Sequence, residues 1–191
     1  MREDVKVDLS DSAYDFMNTV YPKLVELNFI SGEIISVEGN ANDYLKALLD
    51  KQASIDVLLV KTNTGVIGIA SRVQWYEPTK PRGFPFNSFT IRMHRATGAR
   101  TEYEKLTNAL SANGKYFYPY YTCQSYITER RTGELVSLAI AKTEDIYRII
   151  NLGYSKSMVN SFDNNTFEVV YWDVMQSHKC DIKIWVNNTI K

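Results

Sequence analysis

Residues 55–60 read Ile-Asp-Val-Leu-Leu-Val, a run apolar on both of its alternating faces, and such a run belongs in the middle of a sheet covered on both sides. Successive side chains of a strand point to opposite faces, so Asp56 is the one charge in a segment that otherwise avoids water. A buried carboxylate is costly unless it is paired, hydrogen-bonded or metal-bound. Whatever this chain folds into must therefore supply Asp56 with a partner. The turn-forming stretch 62–65, Thr-Asn-Thr-Gly, is followed by strand-like residues 66–75, which predicts an antiparallel hairpin. Register decides the neighbours of Asp56. One register places Ala70, Arg72 and Gln74 on its face, and a one-residue slip substitutes Ser71 and Val73.

The rest of the chain alternates helical and strand-like stretches, an α/β pattern. Ala13, Phe16, Met17, Val20 and Leu24 recur at helical spacing behind a Ser10 or Asp11 cap, with Pro22 predicting a kink or break. Residues 33–37 read as a short strand, and Asn40 or Asn42 caps an expected helix over Tyr44, Leu45, Leu48 and Leu49. A loop with Pro78, Pro81, Gly83 and Pro85 precedes a third strand over 88–93. Thr101 with Glu104 forms a capping box for a helix reaching about Leu110. Strands are expected over 116–127 and 135–141, joined by a turn at Arg130, Arg131, Thr132 and Gly133. Thr143 is the natural cap of a helix through Ile150, and runs 166–175 and 181–186 suggest a terminal hairpin. Neither repeat nor linker divides the 191 residues, so one domain is expected.

Charge narrows the functional classes. Lys and Arg number 22, as do Asp and Glu, so any polyanion-binding surface must be a local patch. Two cysteines, Cys123 and Cys180, make no disulfide framework and point to a reducing compartment. His94 and His178 stand far apart, which argues against structural zinc. Residues 1–10 alternate charged and apolar positions without the apolar stretch of a signal peptide or a membrane span. The expectation is a cytoplasmic protein with no membrane association.

The stretch 54–60, a tight turn, and then 68–74, Gly-Ile-Ala-Ser-Arg-Val-Gln, resembles the hairpin of the PD-(D/E)XK (restriction-endonuclease-like) nuclease superfamily, in a phage or mobile-element form with a degenerate motif. The resemblance spans roughly residues 43–150. It implies a restriction-endonuclease-like core, a mixed central sheet flanked by helices, with a C-terminal β extension, in the cytosol of a bacterium or phage-infected host. In such nucleases carboxylates hold Mg²⁺ against the scissile phosphate and a cation stabilises the developing charge. By this resemblance Asp56 is the metal ligand and Arg72 takes the place of the catalytic Lys. The remaining acidic or Gln position falls on Ala70, which has no metal-binding atom. Gln74 on the same strand face is one replacement; Glu26, Glu33 or Glu38 from earlier elements is another. The alternative for Asp56 is a structural ion pair with Arg72.

Arg92, Arg95, Arg100 and Lys105, with His94 among them, form a basic series suited to DNA phosphates, Gly98 allowing close backbone approach. The competing reading is a solvated strand end and helix surface. Tyr116, Phe117, Tyr118, Tyr120, Tyr121 and Tyr126 crowd one strand; exposed rings stack on bases, although period-two alternation sends one face into the core. Two functions follow. One is a Mg²⁺-dependent endonuclease or nuclease-derived DNA-binding protein using Asp56, Arg72 and Gln74. The other is a catalytically inactive interaction protein with a protein partner, such as a phage-encoded inhibitor of a host defence system.

Overall fold

The computed structural model describes residues 3–37, 44, 48–49, 53–61, 65–75, 87–95, 97–111, 117–160 and 164–187. The first helical stretch is longer than the spacing predicts. Helix α1 (Glu3–Asp15) starts well before Ser10 and Asp11, so neither caps it. It passes into a π-helical turn (Phe16–Val20) and then α2 (Tyr21–Glu26). Pro22 explains the irregularity: lacking an N–H, it removes a ladder hydrogen bond, and the turn before it takes the wider form. Phe16, Val20 and Leu24 are buried, as their spacing requires.

Among the described residues, strands β1 (Glu33–Ser36), β2 (Val57–Lys61), β3 (Gly65–Trp75), β5 (Tyr121–Ile127), β6 (Leu135–Lys142) and β9 (Ile182–Val186) form a six-stranded sheet in the order β1-β2-β3-β5-β6-β9. The sheet is mixed: β3 and β5 run parallel, the other neighbours antiparallel. A parallel pair needs a long crossover. Here the crossover includes β4 (Ser88–His94) and α3 (Glu102–Ser111). Strand β4 does not join the hairpin's sheet; it pairs with β8 (Thr166–Tyr171), and β8 pairs with β7 (Lys156–Val159), giving a second sheet ordered β4-β8-β7.

The C-terminal region departs from a hairpin extension in the same way. Helix α5 (Trp172–Ser177) follows β8, so β8 and β9 lie in different sheets, and each sheet depends on this region. Trp172 and Met175 are buried at helical rather than strand spacing. Helix α4 (Thr143–Asn151) has Lys142 at its cap, without a side-chain cap bond; the Thr143 hydroxyl instead meets that of Thr122 at 2.9 Å. The capping box at Thr101 forms as predicted, Thr101 N–H donating to Glu104 at 2.7 Å and Glu104 N–H to the Thr101 hydroxyl at 3.2 Å. The helix expected over Tyr44, Leu45, Leu48 and Leu49, its Asn40 or Asn42 cap, the turn 62–64, the loop with Pro78, Pro81, Gly83 and Pro85, and Glu38 and Tyr116 fall wholly or mostly outside the described residues.

The two larger cores among the described residues follow from strand alternation, a third, smaller cluster being Val37, Leu49, Ala53 and Ile55. Phe16, Val20 and Leu24 pack with Leu59, Ile69, Cys123, Ile127 and Leu138 on one face of the large sheet. On the other, Tyr126, Ala139 and Ala141 meet Phe89 and Ile91 of β4, Ile146 of α4, and Trp172 and Met175 of α5. The candidate site sits on this second side. No helix among the described residues is long and apolar enough to cross a membrane.

Candidate functional site

The β2–β3 register pairs Val57 with Ile69 and Lys61 with Gly65. Continued by one residue, it sets Asp56 against Ala70, and the Asp56 N–H donates to the Ile69 carbonyl at 3.0 Å. Ala70, Arg72 and Gln74 thus occupy the face of Asp56, and the slipped register is excluded. One Asp56 carboxylate oxygen accepts the Ser71 backbone N–H at 2.7 Å.

Arg72 finds a partner that the sequence does not announce. Its Nη2 donates to Oε2 of Glu102, the first residue of α3, and the two side chains keep 18% and 23% of their exposure. The capping box at Thr101 fixes where α3 begins and so places Glu102. The capping box was legible; that a carboxylate in the turn it starts meets an arginine thirty residues earlier was not. Burial, more than any other cause, lowers the Arg72 pKa to about 10, and Arg92 and then Arg95 push the same way while Asp56 and Tyr147 oppose them. Arg72 is thus still a cation at neutral pH. Three guanidinium groups share this neighbourhood.

Ser54, Ala70, Arg72, Glu102, Thr122 and Tyr147 help to line a cavity of about 20 Å³ between the sheet and α3. That is space for about one water molecule, not for a base or a sugar. Gln124, opposite Arg72 on β5, is fully buried; its Oε1 accepts from the Thr90 hydroxyl at 3.4 Å, while its amide nitrogen has no hydrogen-bond partner among the described residues. Gln74 is exposed and does not line the cavity. Glu26 pairs with Lys23 at 2.7 Å, and Glu33 is exposed on β1.

The residues here do not fit a resident Mg²⁺. A hard cation needs several oxygen ligands, whereas position 70 has no donor atom, one oxygen of Asp56 holds a backbone amide, and Glu102 is engaged by Arg72. Among the described residues no three His, Cys, Asp or Glu side chains converge.

The basic series is split by the fold. Arg92 stands on β4 with its guanidinium 5.3 Å from the Phe167 ring centre. Arg95 follows the strand, its Nε buried without a hydrogen-bond partner among the described residues. His94 and Arg100 are exposed, and Lys105 is half-buried on α3. Arg130 and Arg131 take another role: Arg131 Nε bonds Asp11 at 2.6 Å, and Arg130 lies 4.1 Å over the Trp75 ring. They fasten α1 to the large sheet. Cys123 and Cys180 are free thiols, and burial pushes the Cys123 pKa up to about 12.

No family model, curated protein or solved structure matches this chain.

Proposed function

We propose that this chain is a nuclease-derived DNA-binding protein, built on a degenerate PD-(D/E)XK-like core, that holds phosphates at Arg92, Arg95, Arg100 and Lys105 and does not cleave them. The observation that carries the reading is the charge balance around Arg72. Arg92 and Arg95 both bear electrostatically on the half-buried Arg72, and Asp56 and Glu102 beside it are each already hydrogen-bonded within the protein. Guanidinium groups gathered in this way, with the Arg95 Nε buried and unpartnered among the described residues, favour a bound anion. The cation at the place of the catalytic Lys is already neutralised by Glu102, which speaks against turnover.

Single-stranded, duplex and branched DNA incubated with the protein in Mg²⁺ or Mn²⁺ should be retained and remain intact. Arg95→Ala should weaken binding about three- to tenfold and lower the salt slope by about one, while Asp56→Ala should leave binding unaltered in the folded protein. Metal-dependent cleavage that disappears in Asp56→Ala would restore the active nuclease, with Asp56 as Mg²⁺ ligand, Arg72 as charge stabiliser and Gln74 as replacement ligand.

One observation favours a second reading, an inert module with a protein partner. Strand β7 lies at a sheet edge with each of its residues exposed, and Leu152, Tyr154, Met158 and Val159 are each about half-exposed or more along this segment. Such edges pair with extended segments of other chains. A single stoichiometric protein partner, lost in Val159→Asp, with no DNA retained, would put this reading first.

A further inference from the structure

The geometry points to a halide site in the cavity beside Arg72, where one chloride ion ties the beginnings of α3 and α4 to the large sheet. The inference does not rest on DNA binding. A space of about 20 Å³ admits a water molecule or a monatomic ion and excludes a phosphate group. The chemistry of the walls chooses between the first two.

Hydrogen-bond donors dominate the lining. Arg72 brings its guanidinium, with one nitrogen engaged by Glu102 and further N–H groups to spare. The Ser54 hydroxyl is buried without a hydrogen-bond partner among the described residues. Thr122 and Thr143, each 2% exposed, hold their hydroxyl oxygens 2.9 Å apart. A hydrogen bond between two hydroxyls uses one proton and leaves the other free to donate. Tyr147, 5% exposed, stands close enough for its hydroxyl to act on the Arg72 guanidinium. Glu102 is the one carboxylate among the lining residues, and Arg72 already holds it.

The helices add to the same side. Glu102 is the first residue of α3 and Thr143 the first of α4, so both helices begin at this cavity. The N–H groups of a first helical turn lack carbonyl partners and carry the positive end of the helix dipole, which is the backbone's own preference for an anion. From outside the lining, Arg92 and Arg95 bear on the Arg72 guanidinium, with Asp56 opposing them. A water molecule placed here must find acceptors for its own protons, and the walls offer few. A halide accepts from every side and donates nothing.

Thermal unfolding at fixed ionic strength, with sodium chloride exchanged for sodium bromide or sodium gluconate, tests the site. Above its dissociation constant, each tenfold rise in chloride should raise Tm by about 3–5 °C. Bromide should act alike, and gluconate, too large for the cavity, should not. Ser54→Gly removes a hydroxyl at a φ of 56°, where glycine brings no strain, and Tyr147→Phe keeps the ring. Each should weaken chloride about three- to tenfold, displacing the Tm curve to higher chloride. Bromide-soaked crystals should show one anomalous peak between Ser54, Arg72 and Thr143. Equal Tm curves in chloride and gluconate would mean that water fills the cavity and would overturn the proposal. So would a bromide peak with no counterpart in solution, which is binding at crystal concentration only. A chloride dependence unchanged in both variants, with no bromide in the cavity, places the ion elsewhere and overturns it as well.

Discussion

Glu102→Ala should lower the free energy of unfolding by about 3 kcal/mol, because removing one partner of a half-buried ion pair leaves the other charge uncompensated. Arg72 would then face Arg92 and Arg95 with Asp56 and Tyr147 to oppose them, in a place where burial already lowers its pKa to about 10. Removing both charges is a different experiment. In Glu102→Ala with Arg72→Met, most of the loss should return, since an apolar pair of similar volume replaces a pair that was costly to desolvate. Urea unfolding measures both, with an unchanged slope confirming that the unfolded state is not altered. The same variant probes the site's chemistry: inorganic phosphate should stabilise Glu102→Ala more than the wild type, because the anion can occupy the place of the missing carboxylate. A loss below about 1 kcal/mol would mean that the pair behaves like an exposed surface bridge.

That pair also marks where sequence reading stops. The β2–β3 hairpin was legible because a polar turn between two apolar runs limits the register to two choices, and the structure selects the one that faces Ala70, Arg72 and Gln74 toward Asp56. Helix α3 was legible because Thr101 and Glu104 cap each other locally. Neither signal says which strand α3 packs beside. Asp56 invited a partner, and Arg72 was the charge that the hairpin brings to its face, but Glu102 reached the guanidinium because the crossover between β3 and β5 returns the chain to the same side of the sheet. Non-local geometry of this kind has no period to detect.

The second sheet was missed for a related reason. Strands β4 and β8 were each visible as β-branched and aromatic runs, yet a strand's composition does not name its neighbour. Pairing β4 with β8 joins residues about eighty positions apart, Phe89 to Val170 and Thr90 to Val169. Trp172 and Met175 continued the apolar run of β8, so the change to helix α5 was hidden in a pattern that either periodicity fits. The gain from this arrangement is positional: β4 brings Ile91 into the lining of the cavity and Arg92 within electrostatic reach of Arg72.

Asp15→Ala should cost about 3 kcal/mol as well, for a reason unrelated to the site. Asp15 is fully buried beneath α1, its carboxylate accepting the Trp75 indole N–H at 2.7 Å and the Arg131 backbone N–H at 2.9 Å. Truncation leaves two covered donors without an acceptor, each costing about 1–3 kcal/mol. Asp15→Asn keeps one acceptor oxygen but turns an amide toward a donor, so it should recover only part of the loss. Asp11, one turn earlier, adds a pH dependence. Arg131 above all, then Arg130, hold its carboxyl below the usual value of 3.8 despite the opposing effect of burial. Its folded pKa is depressed, so its contribution is complete above the unfolded value and is lost as pH falls below about 4 toward the lowered one. Asp11→Asn should flatten the acid limb of stability in that window and leave the neutral limb's shape unchanged. Both carboxylates secure the end of β3 at Trp75, three residues beyond Arg72. A variant of Asp15 that is still folded at the assay temperature should therefore bind DNA as the wild type does, and a loss of affinity without unfolding would show that the clamp also positions Arg72.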